Sequence, residues 1–220
     1  LEPIQNEVEM GLTLAELVTK ISAEHYYAEL FTLAFGDALV TTDRISRALA
    51  QFIRSIISTE SKFDIGRAEN FSNFTPEENQ GRQIFNGQGR CATCHGTDNF
   101  VPDNVFNNGL ENPYTDPGVG AITGRRQDLG KFKVPSLRNI ALTGPYMHDG
   151  RLETLEDVVE FYDSEVVNHP NLAPQLRNNN RPRRLNLSEA EKRALVAFMN
   201  TLTDPTLSLI HISEPTRHAS

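Results

Sequence analysis

The sequence predicts a mainly α chain with long loops, and three observations predict it. Apolar residues recur at spacings of three and four over 13–20, 23–35 and 42–58, as in Ile45, Leu49, Phe52, Ile53 and Ile56, the period of a helix with one apolar face. Two capping boxes, Thr75-Pro76-Glu77-Glu78 and Ser188-Glu189-Ala190-Glu191, open further helices. No stretch alternates apolar and polar side chains as a half-buried strand would.

Taken in order, the second helix stops at Gly36, which adopts left-handed backbone without cost, and Thr41 or Thr42 caps the third. The polar stretch Thr59–Ser72 reads as a linker. At the next helix Thr75 caps, Pro76 fills the first turn and Glu78 closes the box. That helix ends before Gly87 and Gly89, which let the chain turn sharply into Cys91. Asparagine, proline and glycine dominate Thr97–Lys131, a long loop of the kind that usually carries function. Thr154–Tyr162 is a short helix with Leu155, Val158, Val159 and Tyr162 on one face. A basic, Asn-rich loop, Asn178–Arg184, precedes the last helix, whose apolar residues are Leu195, Val196, Phe198 and Met199.

The chain has 220 residues, 29 acidic against 21 basic side chains and a net charge of -8. That length suits one large or two small domains. The acidic balance argues against a nucleic-acid partner, whose phosphates demand a basic face, and permits a basic redox partner. No apolar run approaches the ~20 residues needed to cross a bilayer. The opening Leu1-Glu2-Pro3 reads as the middle of a domain, so a truncated N-terminus is expected. Residues 207–220 read as the translation of a sequencing adapter and are set aside.

Cys91-Ala92-Thr93-Cys94-His95 is a C-x-x-C-H motif, which reads as covalent c-type haem attachment. The two cysteines would add to the haem vinyl groups, and His95 would be the proximal iron ligand. A redox dithiol would open a helix after a strand in a βαβ setting, and no such alternation surrounds Cys91. A structural zinc wants four Cys or His ligands, and the chain has two cysteines with no second close pair. A structural disulfide is the third competing reading. For the sixth iron ligand the methionines are Met10, Met147 and Met199, and sequence physics leaves Met147, His148 and Tyr162 open.

The segment Gly130-Lys131-Phe132-Lys133-Val134-Pro135-Ser136-Leu137-Arg138-Asn139, continuing to Gly144-Pro145-Tyr146-Met147-His148-Asp149-Gly150, closely resembles the C-terminal haem domain of the bacterial di-haem cytochrome c peroxidase family, which includes MauG. The resemblance covers roughly residues 1–204. It implies a c-type cytochrome domain at 71–206, preceded at 1–70 by helices from a truncated first, peroxidatic haem domain, with 207–220 as a non-native tail. In typical members a methionine ligates this haem fourteen residues after the histidine of the second motif; that position here is Tyr162. The MauG-like branch carries tyrosine there, so the resemblance implies His95 and Tyr162 as the axial pair. Phenolate is a hard anionic donor that stabilises ferric iron, and this haem is expected to be hard to reduce.

The same resemblance extends to Pro3-Ile4-Gln5-Asn6-Glu7-Val8-Glu9-Met10-Gly11. It implies that Pro3 lines the distal pocket of a second haem and that Glu9 moves a proton between peroxide oxygens there. The second C-x-x-C-H and the inter-haem tryptophan of the family are absent from these residues. Backbone carbonyls of Thr143 and Pro145 correspond to calcium ligands, which makes calcium a candidate second cofactor beside haem c. Arg125, Arg126, Lys131, Lys133 and Arg138 are candidates to meet haem propionates. His148 is expected in a structural or propionate contact, and His25 and His169 on the surface.

The function implied is part of a di-haem peroxidase that reduces hydrogen peroxide with electrons from a donor cytochrome or cupredoxin, relayed through the haem at Cys91, Cys94 and His95. The alternatives are a mono-haem electron-transfer cytochrome and a MauG-like oxidase that modifies a partner protein. Haem attachment of this kind points to the periplasm, a homodimer is compatible with the sequence, and residues 1–220 alone are expected not to turn over peroxide.

Overall fold

A computed structural model describes residues 1–207, so the stretch set aside at 207–220 lies, Leu207 apart, outside the described residues. The chain forms two compact units that divide between Ile57 and Ser58.

The first unit holds α1 (Glu2–Gln5), α2 (Leu14–Ala23), α3 (His25–Phe35) and α4 (Thr42–Ser55). Thr13 and Glu16 cap α2 reciprocally, Gly36 ends α3 at φ 90°, and Thr41 accepts the Arg44 N–H to start α4. Ile4, Leu17, Phe31, Val40 and Ile45 form its core. Of the apolar stripe expected on α4, Ile45 alone is buried, while Leu49, Phe52 and Ile53 are exposed. Helical period therefore marks the apolar face but not how much of it this unit covers.

The second unit begins earlier than the boundary expected at residue 70. The stretch read as a linker contains α5 (Lys62–Ala68), opened by a Ser61/Asp64 capping box. It is part of this unit's core: the Phe63 N–H donates to the Thr201 carbonyl, and the Phe63 ring packs against Phe71, Phe100 and Phe198. A seven-residue helix with few apolar side chains has too little periodicity to announce itself.

Next come α6 (Pro76–Asn86), α7 (Ala92–His95), α8 (Val119–Thr123), α9 (Leu155–Glu160) and α10 (Glu189–Asn200). Among the described residues four two-residue strands form two antiparallel pairs, β1 (Val105–Phe106) with β2 (Phe132–Lys133) and β3 (Arg177–Asn178) with β4 (Arg181–Pro182). Asn179 and Asn180, both at positive φ, make the turn between β3 and β4, so the Asn-rich loop is a hairpin. The core is built on α6 against α10, with Phe74, Phe85, Leu195, Phe198 and Leu202 buried between and around them.

His169 is not a surface residue. It is 9% exposed, and its Nδ1 accepts the Asn171 N–H at 3.0 Å and lies 3.2 Å from Asn107 Nδ2. His25 is exposed as expected.

Candidate functional site

Cys91 directly precedes the short α7, and Arg90 before it sits at φ 55°, a strained conformation for a side chain with a Cβ. The Cys94 and His95 N–H groups both return to the Cys91 carbonyl, which folds the motif into a single turn. Cys91, Cys94 and His95 line one cavity of about 390 Å³ whose walls are mainly apolar, among them Phe85, Leu137, Val159, Leu195 and Met199.

Both thiols are free. Burial pushes the Cys91 thiol up to about 12, and burial raises Cys94 as well, so both are held protonated. That is the reverse of a redox dithiol, whose attacking cysteine is an exposed, lowered thiolate. His95 Nδ1 lies 2.7 Å from the Phe100 carbonyl. This contact fixes the proton on Nδ1 and leaves the Nε2 lone pair free. Burial lowers the pKa of His95, the Phe100 hydrogen bond opposing it, which keeps the imidazole neutral and able to ligate.

Met147, His148 and Tyr162 line the same cavity. Met147 Sδ accepts from Asn108 Nδ2 at 3.3 Å, and His148 is exposed and stacks on Phe132 at 3.8 Å between ring centres. Tyr162 lies in a π-helical turn, Phe161–Glu165, that continues α9. The turn is held on both sides of the tyrosine: Asp163 accepts the Leu187 N–H at 2.9 Å, and Lys192 bridges Glu160 and Asp163. Burial pushes the Tyr162 phenol up to about 12, partly offset by hydrogen bonding to Asn108. Asn108 itself is oriented by the Tyr114 hydroxyl, which donates to its Oδ1 at 2.9 Å.

Of the five basic residues expected near propionates, Lys133 lines the cavity. Arg138 is committed elsewhere, gripping Asp64 through two nitrogens at 2.8 and 2.9 Å and reaching the Ser58 and Asp98 carbonyls. Lys131 pairs with Asp128. Sequence reasoning missed Asn108, Gln175 and Arg183 in the cavity wall; for Arg183 the signal was the basic loop that contains it. Arg183 Nε and Gln175 Oε1 are buried there with no hydrogen-bond partner among the described residues.

Haem c fits this site: two protonated thiols, a neutral histidine with its outer nitrogen tied back, apolar walls and an unpartnered guanidinium nitrogen are what a porphyrin with two acidic arms requires. Thr143 and Pro145 are exposed on the loop before Tyr146, and among the described residues no group of three or more His, Cys, Asp or Glu could hold a metal ion. Pro3 in α1 and Glu9 beyond it are exposed in the first unit.

The family model for di-haem cytochrome c peroxidase matches residues 1–70. The methylamine utilization protein MauG of Methylophilus methylotrophus is 33% identical over 94% of this chain, and the cytochrome c551 peroxidase of Nitrosomonas europaea is 36% identical over 91%. The chain spans 61% and 56% of those two proteins. Among solved structures, a MauG-like protein associated with microbial copper homeostasis superposes with a TM-score of 0.76 at 30% identity, covering 90% of this chain and 65% of that one.

Proposed function

The chain belongs to the di-haem cytochrome c peroxidase and MauG family, and we propose that it carries the electron-relaying haem c of a MauG-like peroxidase. The observation that supports this most is the meeting of both free thiols, the Nε2 face of His95 and Tyr162 in one cavity.

When bound, haem supplies one-electron chemistry at its iron. Cys91 and Cys94 would anchor it through thioether bonds, and His95 and Tyr162 would serve as its iron ligands. The Phe100 carbonyl holds the His95 ring in register and makes it a stronger donor. The turn fixed by Asp163 and Lys192 presents Tyr162, and the apolar walls exclude water. In the whole protein, Pro3 would line the pocket of a second haem and Glu9 would serve there as the acid/base that moves a proton between peroxide oxygens. Electrons arrive from a cytochrome or cupredoxin, and the compartment is the periplasm. Thr143 and Pro145 carbonyls would supply two oxygens toward a calcium ion, fewer than the roughly six to eight it takes. The tyrosine at 162 and the similarity to MauG favour a second reading, an oxidase acting on a partner protein's side chain.

Expression with a cytochrome c maturation system tests the site: one covalent haem per chain is expected, and Tyr162→Phe should change the ferric absorption spectrum. An unchanged spectrum would remove Tyr162 from the ligand set. Assay of the full-length protein with reduced cytochrome against candidate protein substrates separates the two activities.

A further inference from the structure

We infer that Arg183, assisted by Gln175, anchors a haem propionate, and that this pair rather than the basic residues around 125–138 sets the polar pole of the cavity. The inference rests on the haem reading above and adds residues it does not name.

The starting observation is one unpaired donor on a half-buried arginine. Arg183 Nε is buried in the cavity wall without a partner. A buried guanidinium donor left unpaired costs far more than one in water, so a fold that retains it calls for an acceptor that the described residues do not provide. The neighbouring arginines have other surroundings: Arg177 donates to the Leu172, His169 and Pro170 carbonyls, Arg184 to the Val166 carbonyl, and Arg181 is exposed to water. Arg183 alone of these four lines the cavity.

Its position is built rather than incidental. The Arg183 N–H donates to the Leu176 carbonyl at 2.8 Å, tying the end of β4 to the helical turn Pro174–Leu176 that carries Gln175. The Gln175 amide is the second buried group in this wall with an unsatisfied atom, and with its ends exchanged it donates instead of accepting. Both side chains line the same cavity.

The sign of the ligand follows from the rest of the wall. Among the described residues no Asp or Glu lines the cavity, although the chain has a net charge of -8, whereas Arg90, Lys133 and Arg183 all do. Arg90 and Lys133 are exposed and water satisfies them. Arg183 is the cation whose Nε water does not reach, and its planar fork matches a carboxylate.

The test titrates the apo chain, residues 1–220, with ferric haem and with ferric haem dimethyl ester, whose propionates are masked, following absorbance. Wild type should prefer the free acid by about tenfold, the scale of one charge-assisted hydrogen bond. R183Q should lose most of that preference, and R183K, which keeps the charge, should retain part of it. R183M, which preserves the apolar stem, gives the same reading should R183Q fail to fold by circular dichroism. A folded R183Q or R183M that discriminates as well as wild type would overturn the inference while leaving the haem reading intact. If wild type takes up neither form, both fall together.

Discussion

Replacing Gly81 by alanine should loosen the helix junction on which the cavity rests. Gly81 lies where α6 meets α10, and a Cβ added there would sit 1.8 Å from the Ala194 carbonyl oxygen, 2.5 Å from its carbon and 2.8 Å from Phe198 Cβ. Reaching even 3.0 Å, the floor of real Cβ contacts, needs about 1.2 Å of retreat by backbone, which no rotamer change supplies. Elsewhere in a helix the same substitution gains about 1 kcal/mol from propensity. Overpacking costs about 1–3 kcal/mol and occasionally more, and a clash with main chain belongs at or above the upper end. The net expectation is a loss of about 2 kcal/mol, which lowers Tm by roughly 4–8 °C for a unit of this size. Calorimetry of the apo chain measures it, with Gln83→Ala, an exposed site on the same helix, as the control that should stay within about 0.5 kcal/mol of wild type. Because Leu195 and Met199 of α10 line the cavity, haem uptake should weaken alongside stability. A G81A Tm equal to or above wild type would refute the close-crossing argument.

Three further outcomes are expected. Asp204 is fully buried; burial alone would raise its pKa, but hydrogen bonds from Thr206 and the Glu60 N–H outweigh it and hold the carboxyl at about 2. A depressed folded-state pKa stabilises above the unfolded value and is lost as pH falls through the folded one, so Asp204→Asn should cost about 2 kcal/mol at pH 7, with the gap to wild type closing between about pH 4 and 2 in urea titrations. Asp64→Asn strips the partner from Arg138, whose side chain is 13% exposed, and should cost about 3 kcal/mol in the same assay; a loss below the range of a surface pair would mean that water replaces the carboxylate. Residues 1–220, carrying one attached haem, should show no peroxide turnover with reduced cytochrome, and measurable turnover would overturn the division of labour proposed for the two haems.

Helix starts were legible because capping is local chemistry: Thr75 with Glu78 and Ser188 with Glu191 make both reciprocal hydrogen bonds that their spacing predicts. The C-x-x-C-H motif was legible for the same reason, since five consecutive residues make it. What the sequence hid depends on residues far apart in the chain. Helix α5 exists because Phe63 meets Phe198 and Asp64 meets Arg138, and neither pairing leaves a periodic trace within seven residues. Arg138 belongs to the segment that carries the family resemblance, which drew it toward the cofactor, yet its charge is spent on joining α5 to that segment.

Arg183 shows the converse. A basic residue in an Asn-rich loop is ordinarily solvated, yet in the hairpin turned by Asn179 and Asn180 the four arginines within eight positions acquire different fates. Arg177 and Arg184 close on backbone carbonyls and hold the loop; Arg183 is left over. The property that marks it is the absence of a partner, which is defined only once every other donor and acceptor has been assigned. Composition counts Arg183 as one of 21 basic residues, and periodicity does not see it. A cofactor pole of this kind is therefore recovered by satisfying hydrogen bonds across the whole fold and asking which buried donor still waits.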